Sequence, residues 1–157
     1  MLTMTVGYSG TPLPRKLGVK ADSRVLVLGQ PRGTNLGTWD CAVRHTRAGK
    51  GRYDVVLAFV PDLAALQRKL APAILATTTT GRLWICWPKR SSGVATDLTE
   101  CMVRELGLTA GVVDIKVCAI DDIWSGLAFV RRLRDRCATH THSVPAWLRG
   151  PLNTLVN

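Results

Sequence analysis

Three uninterrupted apolar runs constrain the fold of this chain more than any other feature. They are Arg24-Val-Leu-Val-Leu-Gly29, Tyr53-Asp-Val-Val-Leu-Ala-Phe-Val60 and Arg82-Leu-Trp-Ile-Cys-Trp87. A strand that is apolar on both faces is typical of a parallel sheet with helices on both sides. The runs therefore predict an α/β protein in which strands and helices alternate.

The segments between these strands carry helical periodicity. Leu36, Trp39 and Val43 predict a helix over 36–47, and a second helix opens at Asp62 and ends near Pro72 or Leu75. Asp97 and Glu100 resemble a capping box and predict a third helix that extends to Leu106. The run Thr77 to Thr80 is interpreted as a connector.

Two further strands complete the predicted sheet. Val112–Ile120 is the fourth, and Leu127–Arg132 is a fifth that follows after a short turn, which only antiparallel neighbours can share. The predicted fold is a Rossmann-like three-layer sandwich with a mostly parallel five-stranded sheet and a C-terminal antiparallel hairpin strand. We expect a single α/β domain over residues 1–132 and a C-terminal extension over 133–157.

Composition and cysteine usage exclude several classes of protein. No apolar run approaches the roughly 20 residues of a membrane helix, and the N-terminus lacks the features of a secretory signal. The five cysteines share no CxxC spacing, so we expect a reduced cytoplasmic protein without disulfides or structural zinc. His140 and His142 have no suitable neighbours in the sequence for a metal site, and no metal is predicted.

The positive charge lies in the first part of the chain. Residues 1–95 hold 14 basic and 4 acidic side chains, which accounts for the whole formal net charge of +10, because residues 96–157 hold 7 of each. Such a bias could attract nucleic acid or a phosphorylated small molecule. A solvated basic face is the favoured interpretation, because no nucleic-acid-binding motif accompanies the charge.

The loop after the third strand concentrates groups that bind anions. Lys89 and Arg90 supply positive charge, Ser91 and Ser92 supply hydroxyl donors, and Gly93 permits close approach of the backbone. Beside a helix N-terminus these residues form a candidate anion site. The alternative is a mobile basic turn, and the spacing is not that of a P-loop.

The turn before the last strand supplies the candidate catalytic groups. Asp121 and Asp122 are adjacent carboxylates, of which one could act as a general base or pair with Lys89 or Arg90 across the loops. Trp124 could form a stacking wall beside them, and Ser91 is the remaining weak catalytic candidate. Trp84 and Trp87 are three positions apart on a strand, so we expect them on opposite faces, one in the core and one near the loop.

The turn after the first strand is where a Rossmann-like fold holds a cofactor. Gly29 and Gly33 are present, Pro31 removes one backbone donor, and neither GxGxxG nor GxGxG occurs. A plain strand–helix turn is the favoured interpretation, and no cofactor is identified.

The order of strands and helices resembles the C-terminal half of the class I methyltransferase fold, in which the last strand runs backwards. In this resemblance the first strand matches the strand that carries the glycine loop for S-adenosylmethionine. Only residues 30–52 separate the first two apolar strands, too few for the two strand–helix units of that family, so the resemblance implies a shortened relative. The degraded glycine motif leaves S-adenosylmethionine binding open.

Several strings resemble a small bacterial domain family to which no activity is assigned. They are Tyr8-Ser-Gly-Thr-Pro-Leu13, Trp87-Pro-Lys89, Thr96-Asp-Leu-Thr-Glu100, Val113-Asp-Ile-Lys-Val-Cys-Ala-Ile120 and Trp124-Ser-Gly126. The resemblance covers roughly residues 7–132 and implies domain boundaries, but no chemistry.

Three functions remain open from the sequence. The favoured one is a non-catalytic domain, regulatory in character, that binds an anionic small molecule or a protein partner at the C-terminal edge of the sheet. The second is a small biosynthetic or methyltransferase-like enzyme that uses the same cleft. The third is nucleic-acid binding through the basic first half, and whether the chain is an enzyme stays undecided at this point.

Overall fold

The computed structural model describes residues 12–34, 36, 42–46 and 52–132. This part of the chain contains both helices and strands. The elements are α1 (Leu13–Lys16), β1 (Arg24–Leu28), β2 (Ala42–Thr46), β3 (Tyr53–Phe59), α2 (Leu63–Ala76), β4 (Thr77–Pro88), a 3₁₀ turn (Arg90–Ser92), α3 (Glu100–Thr109), β5 (Val112–Ala119) and β6 (Trp124–Arg131). The predicted tail over 133–157, with His140 and His142, lies outside the described residues.

The described strands form one mixed sheet in the order β2-β1-β3-β4-β6-β5. β1 pairs in parallel with β2 and β3, and β3 pairs in parallel with β4. β6 runs antiparallel between β4 and β5, as the short turn before it predicted. The predicted fold class is confirmed.

The sheet has one strand more than expected, because the helix predicted over 36–47 is wrong. Within that span Ala42–Thr46 is a strand, paired in parallel with β1 over its whole length. The helical spacing of Leu36, Trp39 and Val43 is a local signal. Pairing with the distant edge of β1 overrides it, as tertiary context does for a weak local preference.

Helices and short segments cover the two faces of the sheet, which makes three layers. One face packs against α2 and α3 through Leu26, Val56, Ile85 and Phe129, all of them buried. The other face carries Val27, Leu57, Trp84 and Ala128, and packs against Leu17, which follows α1, and Leu36. Trp84 and Trp87 lie on opposite faces, as their spacing predicted.

The threonine run is part of the sheet and not the expected connector. Thr77 is buried, pairs with Tyr53 of β3 and donates its hydroxyl to Ala73 O at 2.8 Å. β-Branched side chains suit a strand, so α2 passes directly into β4. The beginning of α2 is as predicted, with the Asp62 carboxylate accepting from Ala65 N at 2.8 Å.

The strand directions gather four loops at one edge of the sheet. The parallel strands β1, β3 and β4 end at this edge, and the turn between β5 and β6 also lies here, since Trp124 at the start of β6 pairs with Pro88 at the end of β4. Open α/β sheets bind ligands at this edge.

Candidate functional site

A cleft opens between the end of β4 and the first turn of α3, and we call it the β4–α3 cleft. Its volume is about 340 Å³. It is lined by Trp87, Lys89, Arg90, Leu98, Thr99, Glu100 and Ser125. Two of the residues singled out in the sequence as an anion site, Lys89 and Arg90, are therefore on its wall.

Main-chain contacts with the neighbouring turn hold the basic loop in place. Lys89 N donates to Ile123 O at 2.7 Å, which continues the pairing of β4 with β6 by one residue. A 3₁₀ turn follows, in which the Ser92 hydroxyl donates to Lys89 O at 2.6 Å, and Gly93 ends the turn with a φ of 80°. The Ser92 hydroxyl is thus hydrogen-bonded within the loop, whereas Ser91 is exposed.

The side chains of Lys89 and Arg90 keep their charge available. Lys89 is half-buried and Arg90 is exposed, and neither forms an ion pair within the described ranges. Glu100 is the acidic residue on the cleft wall, and its carboxylate pairs with Arg104 at 2.7 Å. Hydrogen bonds from Arg104 to Glu100 and to Asp114 raise the pKa of this guanidinium. Because Arg104 is shared by Glu100 and Asp114, it offsets the charge of Glu100 only in part, and the two cations of the basic loop outnumber this one carboxylate on the cleft wall.

The segment before α3 is fastened to α2, and this corrects the predicted capping box. Asp97 Oδ1 accepts from Leu63 N at 2.8 Å, so Asp97 caps α2. Thr99 caps α3 instead, by accepting from Met102 N at 3.2 Å. The prediction failed because Asp97 lies two residues before the N-cap of α3 and reaches the first turn of its neighbour.

This arrangement leaves donors at the start of α3. An α-helix has unpaired N–H groups in its first turn, and they carry partial positive charge. Thr99 satisfies the N–H of Met102, and no side chain among residues 52–132 accepts from the N–H groups of Glu100 and Cys101. The first turn of α3 can therefore support a negative charge in the cleft.

Trp87 lines the same cleft with most of its surface enclosed. Its exposed fraction is 5%, and its indole N–H has no acceptor within the described part of the chain. The indole N–H of Trp84, on the other face, donates to Leu17 O at 3.0 Å. Both tryptophans are buried in the core, and Trp87 is the one that also lines the cleft beside the loop.

The turn between β5 and β6 uses one of the two candidate carboxylates for structure. Asp121 Oδ1 accepts from Ile123 N at 2.8 Å and from Trp124 N at 2.7 Å. Asp122 is exposed and has no partner among the described residues. Trp124 is buried and packs edge-on against Phe59, with 5.3 Å between ring centroids. Its ring therefore belongs to the core and not to the wall of the cleft.

Gly29 and Gly33 lie at a different place, the crevice between the ends of β1 and β3. The strand order reverses at this point, because β2 lies on one side of β1 and β3 lies on the other. Both glycines have positive φ, 68° and 83°. A Cβ at Gly29 would overlap the amine of Lys69, which donates to Phe59 O at 2.8 Å. Lys69 was not predicted as a site residue.

A signal for Lys69 was present in the helix pattern. Leu66 and Ala73 are buried in the core, and Lys69 follows the first by three residues and precedes the second by four. This spacing places it beside the buried stripe of α2, where a lysine either extends its amine to solvent or needs a partner for it. Burial, and then the nearby charge of Arg68, lower the pKa of Lys69.

The residues at this crevice do not fit S-adenosylmethionine. A strand does end beside β1, namely β2, where the sequence predicted a helix. No acidic residue occurs between Cys41 and Tyr53, however, where a Rossmann-like fold places the carboxylate that binds a ribose. The amine of Lys69 already occupies the space next to Gly29.

The chain has a methyltransferase-like Rossmann fold, which it shares with a solved structure. The fibrillarin pre-rRNA processing protein of Methanococcus jannaschii is similar with a TM-score of 0.51 and 17% identity, over 80% of this chain and 70% of that chain. Fibrillarin in a fibrillarin/Nop5p complex gives a TM-score of 0.48 and 12% identity, over 73% and 75%. A candidate methyltransferase of Pseudomonas syringae gives 0.45 and 13%, over 71% and 90%.

Comparisons at the level of sequence give no family. No protein-family model and no curated protein matches the chain. The resemblance to a small bacterial domain family therefore remains a prediction, whereas the methyltransferase-like fold is confirmed.

No group of three or more His, Cys, Asp or Glu side chains within the described residues could hold a metal ion. None of the helices described is long and apolar enough to cross a bilayer.

Proposed function

We propose that this chain is a binding domain built on a methyltransferase-like fold, and that it takes the anionic group of a small ligand in the β4–α3 cleft. The observation that carries the proposal is the position of Lys89 and Arg90 on the wall of this cleft, opposite the first turn of α3. We assign the function to residues 1–132, with 133–157 as a C-terminal extension.

The chemistry of the cleft suits an anion such as a phosphate group. Lys89 and Arg90, which have no ion-pair partner among the described residues, line the cleft together with Ser125 and the first turn of α3, and these are the kinds of donor that bind a phosphate group. The indole N–H of Trp87 supplies a further donor from the wall. A carboxylate would use the same donors, so the test begins with the simplest anion.

An enzyme that uses the same cleft is the competing function. The fold is the observation in its favour, but a fold hosts many functions. Of the two carboxylates considered as a general base, Asp121 is held by two backbone N–H groups and Asp122 is exposed to solvent. A general base must reach the proton that it removes, and neither of these two carboxylates lines the cleft, whose acidic residue is Glu100, paired with Arg104. This favours binding without catalysis.

The experiment is a titration of the full chain with inorganic phosphate at constant ionic strength. The melting temperature is measured at each phosphate concentration. A ligand present at 100 times its dissociation constant stabilises a protein by about 2.7 kcal/mol, which corresponds to about 5–10 °C for a chain of this size. We expect such a rise for the wild type and its loss in Lys89→Ala/Arg90→Ala.

The matched control is Arg15→Ala/Arg68→Ala, which removes two positive charges from exposed positions on α1 and α2. This variant should respond to phosphate like the wild type. An equal response of the Lys89/Arg90 variant would show that the anion binds elsewhere. Binding of an oligonucleotide with a steep salt dependence that is lost in the same variant would instead favour the nucleic-acid function.

A further inference from the structure

The crevice between the ends of β1 and β3 is the place where this fold would hold a nucleotide cofactor. It lies at the point where the strand order reverses, and it is distinct from the β4–α3 cleft because β3 separates β1 from β4. Gly29 follows β1 directly and has a φ of 68°, a conformation suited to a tight turn beside a ligand.

A side chain of this protein reaches into that crevice. The amine of Lys69 extends from α2 and donates to Phe59 O, the last residue of β3, at 2.8 Å. It lies so close to Gly29 that a Cβ at this position would overlap it. Lys69 therefore bridges the tips of β1 and β3 across the gap into which a ligand would insert.

We infer that Lys69 closes the crevice between β1 and β3 to S-adenosylmethionine. The amine takes the space beside Gly29 and supplies a donor to the Phe59 carbonyl, whose residue is almost completely buried. Displacing Lys69 would leave the carbonyl without this donor, which disfavours opening the crevice.

A double-mutant cycle tests the geometry. Lys69→Met removes the amine and keeps the apolar stem, and we expect it to lower the melting temperature by about 2–4 °C. Gly29→Ala pushes the amine away from Phe59 O. Lys69→Met should therefore change the melting temperature by less than about 1 °C in the Gly29→Ala background, because the contact is already lost. Arg15→Met, at an exposed position on α1, serves as the control and should change the melting temperature of the wild type by less than about 1 °C.

Ligand binding to the wild type tests the closure itself, independently of whether any variant folds. S-adenosylmethionine and S-adenosylhomocysteine, which lacks the sulfonium charge, are each added to the full chain, with the melting temperature and equilibrium dialysis as readouts. We expect neither to bind. A rise of several degrees with either compound would overturn the inference, as would additive effects of Lys69→Met and Gly29→Ala. The phosphate titration concerns other residues, so each proposal can fail without the other.

Discussion

The Asp97 carboxylate accepts a hydrogen bond from the backbone N–H of Leu63, 34 positions earlier in the chain, at 2.8 Å. The loop that leads into α3 thereby covers the start of α2. Thr96 adds a second link, since its hydroxyl donates to Pro61 O at 2.7 Å. One wall of the β4–α3 cleft is thus fixed by α2 as well as by its own helix.

The first prediction concerns this link. Asp97→Ala removes one acceptor from the first turn of α2 and should lower the free energy of unfolding by about 1 kcal/mol, the usual cost of a lost cap. Urea denaturation measures it as a lower midpoint with an unchanged slope. Glu105→Ala removes a negative charge from an exposed position on α3 and should leave the midpoint in place. Equal effects of the two substitutions would mean that charge, and not capping, is responsible.

The second prediction separates two adjacent carboxylates. Asp121 accepts from two backbone N–H groups, so Asp121→Ala should lower the free energy of unfolding by about 1–2 kcal/mol. Asp122→Ala should change it by less than about 0.5 kcal/mol, because this exposed side chain has no partner among the described residues. Thermal denaturation of both variants measures the two losses of stability for comparison. A larger loss for Asp122→Ala would contradict the assignment.

The features that the sequence predicted correctly depend on local patterns. Continuous apolar runs identified β1, β3 and β4, because a strand that is buried on both faces carries apolar residues at successive positions. The spacing of Trp84 and Trp87 placed them on opposite faces for the same reason, since side chains alternate along a strand. The antiparallel end of the sheet followed from the length of one turn.

The features that the sequence did not predict depend on contacts between distant segments. β2 exists through its pairing with β1, and nothing within residues 42–46 distinguishes that strand from a helix. Asp97 satisfies the same local pattern whether it caps α3 or α2, and only the packing of the two helices decides. Trp124 was predicted to form a stacking wall beside the candidate carboxylates, because no local sequence pattern indicates its contact with Phe59.

The candidate site was predictable in part. The basic loop was found from composition, and the structure places Lys89 and Arg90 on the wall of a cleft. Lys69 was not found, because a lysine at the edge of an apolar stripe usually extends to solvent. Its partner is a carbonyl at the end of β3, a group that every residue possesses and that no sequence pattern can reveal.

The third prediction concerns the contact between α3 and β6. Gly107 is buried, and a Cβ there would overlap the ring of Phe129, which is fully enclosed in the core. Although alanine is the better helix former, Gly107→Ala should therefore lower the free energy of unfolding by about 1–3 kcal/mol. Thr109→Ala, at an exposed position of the same helix, serves as the control in urea denaturation. A stabilised Gly107→Ala variant would show that Phe129 can move aside.

The fourth prediction uses the pH dependence of stability. The pKa of Lys69 is lowered from 10.5 in the folded protein by burial and by the charge of Arg68, while the carboxylate of Asp62 acts in the opposite direction. The unfolded chain therefore holds this proton more tightly than the folded protein does. Between the lowered pKa and 10.5, the contribution of Lys69 to the free energy of unfolding should rise with pH. Urea denaturation at a series of alkaline pH values should show this rise in the wild type, and Lys69→Met should remove it. If the difference between the two proteins fell with increasing pH, the amine would be stabilised in its charged form, and the lowered pKa would be wrong.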